Sequence, residues 1–118
     1  QVRRYSQGIG GRAAMLQYLN QKETAAYSKW VKRMGKDPRL YATHISLFTA
    51  MFVCWQRSGF SNPFPVNRKE LMSFSRIASI ATYHKCVKEL DAYSYIRYQP
   101  SYHPKLGSFV YWPEWTTA

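Results

Sequence analysis

Acidic side chains are scarce in this chain: six Asp and Glu stand against seventeen Lys and Arg in 118 residues, for a formal net charge of +11 and a pI near 9.9. Glu23, Asp37, Glu70, Glu89, Asp91 and Glu114 are scattered. Only Glu89 and Asp91 stand close, two positions apart and so on different faces of a helix, which gives a glycosidase-like carboxylate pair no support. Cysteine is equally sparse. Cys54 and Cys86 are 32 positions apart, each within an apolar stretch, a pattern that suits reduced core thiols better than a zinc site or a disulfide framework. No apolar run approaches the roughly 18 residues of a spanning helix, and no charged start with a long apolar middle marks a signal peptide. The expectation is a soluble, cytoplasmic protein without a membrane partner. The chain opens on Gln1 rather than Met, so its first residues are not read as native context.

What is present points to one basic domain. At 13.9 kDa, 46% hydrophobic and 17% aromatic, the chain can bury a real core, and its length suits a single one. The positive excess attracts polyanions, nucleic acid first and an anionic membrane surface second. It is uneven: residues 1–39 hold nine bases and two acids, residues 40–118 eight bases and four acids.

Along the chain, residues 1–11 carry Gly8, Gly10 and Gly11 with few large apolar groups and read as a flexible arm. Residues 12–42 form an amino-terminal helical segment, one long helix or two short ones. Met15, Leu16, Leu19, Tyr27, Trp30, Val31 and Met34 repeat there at three and four, while Lys22, Lys29, Lys32, Arg33 and Lys36 fall largely off that stripe. Asp37-Pro38 breaks it. A second helix is predicted from a Thr43 cap to Ser58, with Leu47, Phe48, Met51, Phe52 and Trp55 inward and Gly59 as its stop. Pro63 and Pro65 allow only a short edge strand. Asn67 with Glu70 three residues on is the capping-box pattern, opening a short helix buried through Leu71, Met72 and Phe74. Ser75-Arg76 leads to a tight turn and a fourth helix over about 79–92. Its Ile80, Tyr83, Val87 and Leu90 share one face, while Ala81, Thr82, Lys85, Lys88 and Glu89 spread around the other. Tyr95–Gln99 and Ser108–Trp112 read as two strands joined by a projecting loop over 100–107.

The predicted fold class is thus mainly α with a small antiparallel β-hairpin, residues 43–118 having the order of a winged helix-turn-helix. Within it, Leu90-Asp91-Ala92-Tyr93-Ser94-Tyr95-Ile96 resembles the passage from recognition helix to wing in bacterial winged helix-turn-helix proteins, transcriptional regulators often encoded near mobile elements. The resemblance implies DNA binding. Those proteins carry glycine where this chain has Ser94, so a positive φ at Ser94 is expected to cost on the order of 1 kcal/mol. Glycine is likewise common in the turn, where Ala78 stands.

A helix fits the major groove of B-form DNA, and its first two turns reach base edges. Ser79, Ala81, Thr82 and Lys85 hold that position, and Lys88 lies farther along, toward phosphate. Ser79 doubles as the helix cap. Arg68 and Lys69 at the short helix's start, Arg76 in the turn, and His103 and Lys105 at the wing tip are phosphate candidates. Solvated surface charge is the plain alternative for each. Among the ten Tyr, Tyr98, Tyr102 and Tyr111 are left open as stacking groups for single strands or RNA. No nucleophile elbow, paired-histidine helix or Cys-Xaa-Xaa-Cys motif supports an enzyme, and His84 beside Cys86 points about 200° away from it. No cofactor or metal is expected.

The leading expectation is sequence-specific double-stranded DNA binding in transcriptional regulation. A replication or excision accessory role at a mobile element shares the same fold. A winged-helix protein-interaction module, anchored by exposed Trp112 and Trp115, is the alternative, and a homodimer through the amino-terminal segment would pair two reading helices.

Overall fold

The computed structural model describes residues 11–101 and 107–113, with side chains from residue 21 onward. Residues 1–10 of the expected arm over 1–11, and the tip of the expected wing, 102–106, lie outside the described residues, while Gly11 already belongs to the first helix. The stripe at 27, 30, 31 and 34 does produce a helix, and a single one: α1 runs Gly11–Met34. Its apolar side docks on the second helix and on the chain beyond the fourth. Tyr27 stacks against Phe48 and Phe52 with ring centroids 5.6 and 4.1 Å apart, and Trp30 meets Tyr95 edge-on at 5.8 Å. After the break, the Asp37 carboxylate accepts from the Arg39 backbone and side chain and from the Tyr95 hydroxyl at 2.8 Å.

Helix α2 spans Ala42–Arg57 and begins one residue before the Thr43 cap predicted for it. Tyr41 is the flanking residue, and its amide N–H donates to His44 Nδ1 at 2.9 Å. The imidazole takes the part that a glutamate plays in a capping box. A hydroxyl cap gives way here because His44 is drawn inward by a partner 45 positions away, the carboxylate of Glu89. Leu47, Phe48, Met51, Cys54 and Trp55 are buried along α2. Gly59, at φ 81°, ends the helix as expected, and the Phe60 amide closes on the Trp55 carbonyl at 3.0 Å.

Strand β1, Phe64–Val66, is the short edge strand that Pro65 permits. It joins β2, Arg97–Gln99, and β3, Ser108–Tyr111, in a three-stranded antiparallel sheet of order β1-β3-β2, so the expected hairpin gains a third strand. Phe64 and Tyr98 both sit opposite Val110. Just past β3 the expectation of an exposed Trp112 is wrong. Its ring is 1% exposed, within 5.0–5.5 Å of the rings of Phe64, Phe48 and Trp55. Asn62 clamps the backbone there, accepting from the Trp112 amide at 3.0 Å and donating to its carbonyl at 3.3 Å.

Helix α3, Arg68–Ser75, opens with the Asn67 side chain accepting from the Glu70 amide at 3.1 Å. Only half of the capping box forms. The Glu70 carboxylate turns to the Arg57 guanidinium instead, with both contacts at 2.6 Å. In so short a helix only Leu71 and Ser75 are buried, and Phe74, expected inside, is 46% exposed. The turn is built by Arg76 at φ 64°, not Ala78. The Ile77 amide closes on the Met72 carbonyl at 3.1 Å, which sinks Ile77 into the core. The Ser46 hydroxyl donates to the Ser75 carbonyl and fixes this turn to α2.

Helix α4 covers Ile80–Ala92, and Ser79 caps it by accepting from the Thr82 amide at 3.2 Å. Tyr83, Cys86, Val87 and Leu90 face the core, but Ile80 is 51% exposed, contrary to its expected place on that face. At the far end Ser94 has φ 67°, with Tyr95 N–H to the Leu90 carbonyl at 2.9 Å and Ser94 N–H to the Asp91 carbonyl at 3.0 Å. This is a Schellman ending carried by serine. The whole is an α+β domain whose core lies between α2, α4, the carboxyl-terminal half of α1 and the inner sheet face.

Candidate nucleic-acid interface

Four buried side chains hold α4 by one arc, which leaves the arc centred on His84 and Lys88 facing solvent. Ala81, Lys85 and Lys88 are exposed there, as the sequence predicted. Thr82 lies on the flank, half-buried. Ser79 is exposed, and its oxygen is engaged in the cap while its hydroxyl hydrogen remains able to donate. Ile80 and His84 share the exposed arc, whereas the sequence placed Ile80 on the buried face and gave His84 no part in binding. A wheel angle would have found His84, 60° from Ala81 and 100° from Lys85.

Arg68 and Lys69 stand exposed where α3 begins, and Arg76 stands exposed where it ends. Lys69, Met72, Ser73, Arg76, Ile77 and Ala78 line a shallow open depression along α3 and the turn. Met72 also receives the Arg68 guanidinium at 3.7 Å from its sulfur. His103 and Lys105, with Tyr102 and Trp115, lie outside the described residues. Tyr98 and Tyr111 are both half-buried and already engaged, Tyr98 donating to Ser108 Oγ at 3.0 Å and Tyr111 to Gln99 Oε1 at 3.1 Å.

The carboxylates of this region are engaged by other partners. Glu70 is bound to Arg57, whose hydrogen bonds hold its carboxyl below the ordinary range. Glu89 meets His44 Nε2 at 2.8 Å, and Asp91 accepts the Tyr98 amide at 3.1 Å. Among the described residues, none of Arg68, Lys69, Arg76, Lys85 and Lys88 lies within ion-pair distance of a carboxylate. The positive field of α3 and α4 is therefore not neutralised locally, and the surface can attract and hold an anion chain.

The cysteines are free and buried, as expected, and burial pushes the Cys54 thiol above its ordinary value. Among the described residues no three His, Cys, Asp or Glu side chains gather into a metal-binding group, and no helix is long and apolar enough to cross a membrane. Comparison with protein-family models, curated proteins and solved structures finds no match to this chain.

Proposed function

We propose that this protein binds double-stranded DNA sequence-specifically as a winged helix-turn-helix domain in transcriptional regulation, with α4 in the major groove and the 100–107 segment as wing. One observation carries the reading: α4 presents Ala81, Lys85 and Lys88 outward, beside Arg68, Lys69 and Arg76, while every carboxylate of α3 and α4 is bound to an internal partner. Ala81 permits close approach of the helix, and Lys85 reaches guanine acceptors. Arg68 and the amides opening α3 suit phosphate. Ile80 and the Thr82 methyl add apolar contact for a thymine methyl group. Selection of bound sequences from a random duplex pool tests this. A recurring motif supports it, and recovery without sequence preference contradicts it. The same surface serves initiation or excision at a mobile element equally well.

A second reading, a protein-interaction module, draws on Phe74 and Ile80, large apolar side chains exposed at 46% and 51% on α3 and α4. Burial of Trp112 withdraws that residue as a surface anchor. Light scattering separates the two: a stable oligomer indifferent to duplex DNA favours the module, and a dimer that binds a two-fold site favours pairing of two DNA readers.

A further inference from the structure

A second cationic surface lies on α1, apart from the helix proposed to read bases. At 100° per residue, Lys22, Lys29, Lys32 and Arg33 fall within an arc of about 100°, and Lys36 follows just past the helix. All five are exposed. Ala25 and Ser28 lie among them, and their small side chains leave a shallow groove floored by the helix and walled by the cations. Glu23, the one acid of α1, is half-buried about 100° round from Lys22. Among the described residues none of the five cations lies within ion-pair distance of a carboxylate.

The opposite arc of α1 is committed. Tyr27 packs on α2, Trp30 on Tyr95, and Met34 is buried, which leaves the lysines outward, while the Arg33 guanidinium lies 5.0 Å over the Trp30 ring. That packing bears on the class of partner. A helix lying on a lipid surface needs a free apolar face to bury among acyl chains, and over the described side chains of α1, from residue 21 onward, Tyr27, Trp30 and Met34 are covered. What remains is a narrow ladder of charge. From Lys22 to Arg33 it spans about 16 Å at 1.5 Å per residue, the axial rise of about five base pairs of B-form DNA. The ladder begins where α4 ends, since Tyr95 touches Trp30 and hydrogen-bonds Asp37, and the Arg39 guanidinium lies 4.1 Å over the Tyr93 ring.

We propose that the ridge of Lys22, Lys29, Lys32, Arg33 and Lys36 is a second nucleic-acid contact, holding the phosphate backbone of the duplex that flanks the segment read by α4. It rests on the DNA-binding reading and adds a longer, sequence-independent footprint to it. The test uses the full chain and the triple variant Lys22→Gln, Lys29→Gln, Lys32→Gln, whose side chains form no hydrogen bond or ion pair among the described residues. Fluorescence anisotropy is measured on mixed-sequence duplexes of about one and about three helical turns, across a range of salt. The triple variant should bind the short duplex as the parent does, lack the parent's added affinity for the long one, and show a log–log salt slope shallower by about 2 to 3. An unchanged slope and length dependence in the triple variant, with the parent binding both duplexes, overturns the ridge alone. A parent that binds neither duplex, or that is captured only by anionic vesicles, overturns the ridge together with the DNA-binding reading.

Discussion

His44 Nε2 lies 2.8 Å from the Glu89 carboxylate, and the same ring accepts the Tyr41 amide at Nδ1, so one buried imidazole joins the start of α2 to the flank of α4. The acceptor role of Nδ1 puts the proton of the neutral ring on Nε2, which donates to Glu89. His44→Leu leaves the Tyr41 amide and the Glu89 carboxylate without this partner and should cost about 1–3 kcal/mol. Glu89→Gln keeps an acceptor oxygen and should cost less. Urea unfolding of the two variants checks the order, and equal losses would remove the bridging role.

Two left-handed residues bound the region proposed to read DNA, Arg76 before α4 and Ser94 after it. Glycine takes this conformation without strain, so Ser94→Gly should raise stability by about 1 kcal/mol and leave DNA affinity unchanged. Arg76→Gly should raise stability similarly and weaken DNA binding, with a salt slope shallower by about 0.9 because one fewer phosphate is neutralised. Melting curves and binding titrations on the same two proteins read both effects. A lower melting temperature in the Ser94 variant counts against the strain argument.

Trp112 sits among Phe48, Trp55 and Phe64 as the hub of the aromatic core. Trp112→Ala should destabilise by about 3–5 kcal/mol, measured by thermal or denaturant unfolding. A surface anchor for a partner would instead leave stability nearly untouched.

Acid sensitivity follows from Asp37 and Glu70. Hydrogen bonds from Arg39 and from Arg57 respectively hold these carboxyls below their ordinary values. The unfolded chain then takes up protons more readily than the folded one. The stability these groups contribute is complete above the unfolded pKa, about 4, and is lost as pH falls from there toward the depressed folded values. Asp37→Asn should therefore flatten the fall in melting temperature between neutral pH and pH of about 3 relative to the parent. A parallel fall in both proteins would assign the acid sensitivity elsewhere.

Local signals carry much of this fold. The three-and-four spacing in α1, Gly59 as a stop, the Asn67 and Ser79 caps, the proline-limited edge strand and the positive φ at Ser94 each depend on a few neighbouring residues, and each stands in the structure. The departures come from contacts distant in sequence. Glu70 leaves its own helix start for Arg57, His44 displaces the Thr43 cap through Glu89, and Trp112 is drawn in by Asn62, 50 positions earlier. Phe74 and Ile80 depart for another reason: each sits where a helix is too short, or too newly begun, for periodicity to decide its face. Of the candidate surface, Ala81, Lys85 and Lys88 are legible because the buried stripe of α4 is regular, whereas the engagement of its carboxylates depends on tertiary partners that spacing does not reveal.

The decisive measurement is parallel selection from one random duplex pool by the parent chain, Lys85→Ala and Arg68→Ala. The parent should enrich a motif, Lys85→Ala should blur it at one or two positions, and Arg68→Ala should keep the motif while binding every sequence more weakly. If the parent enriches nothing, or if Lys85→Ala returns the parent's motif unblurred at undiminished affinity, α4 does not read DNA.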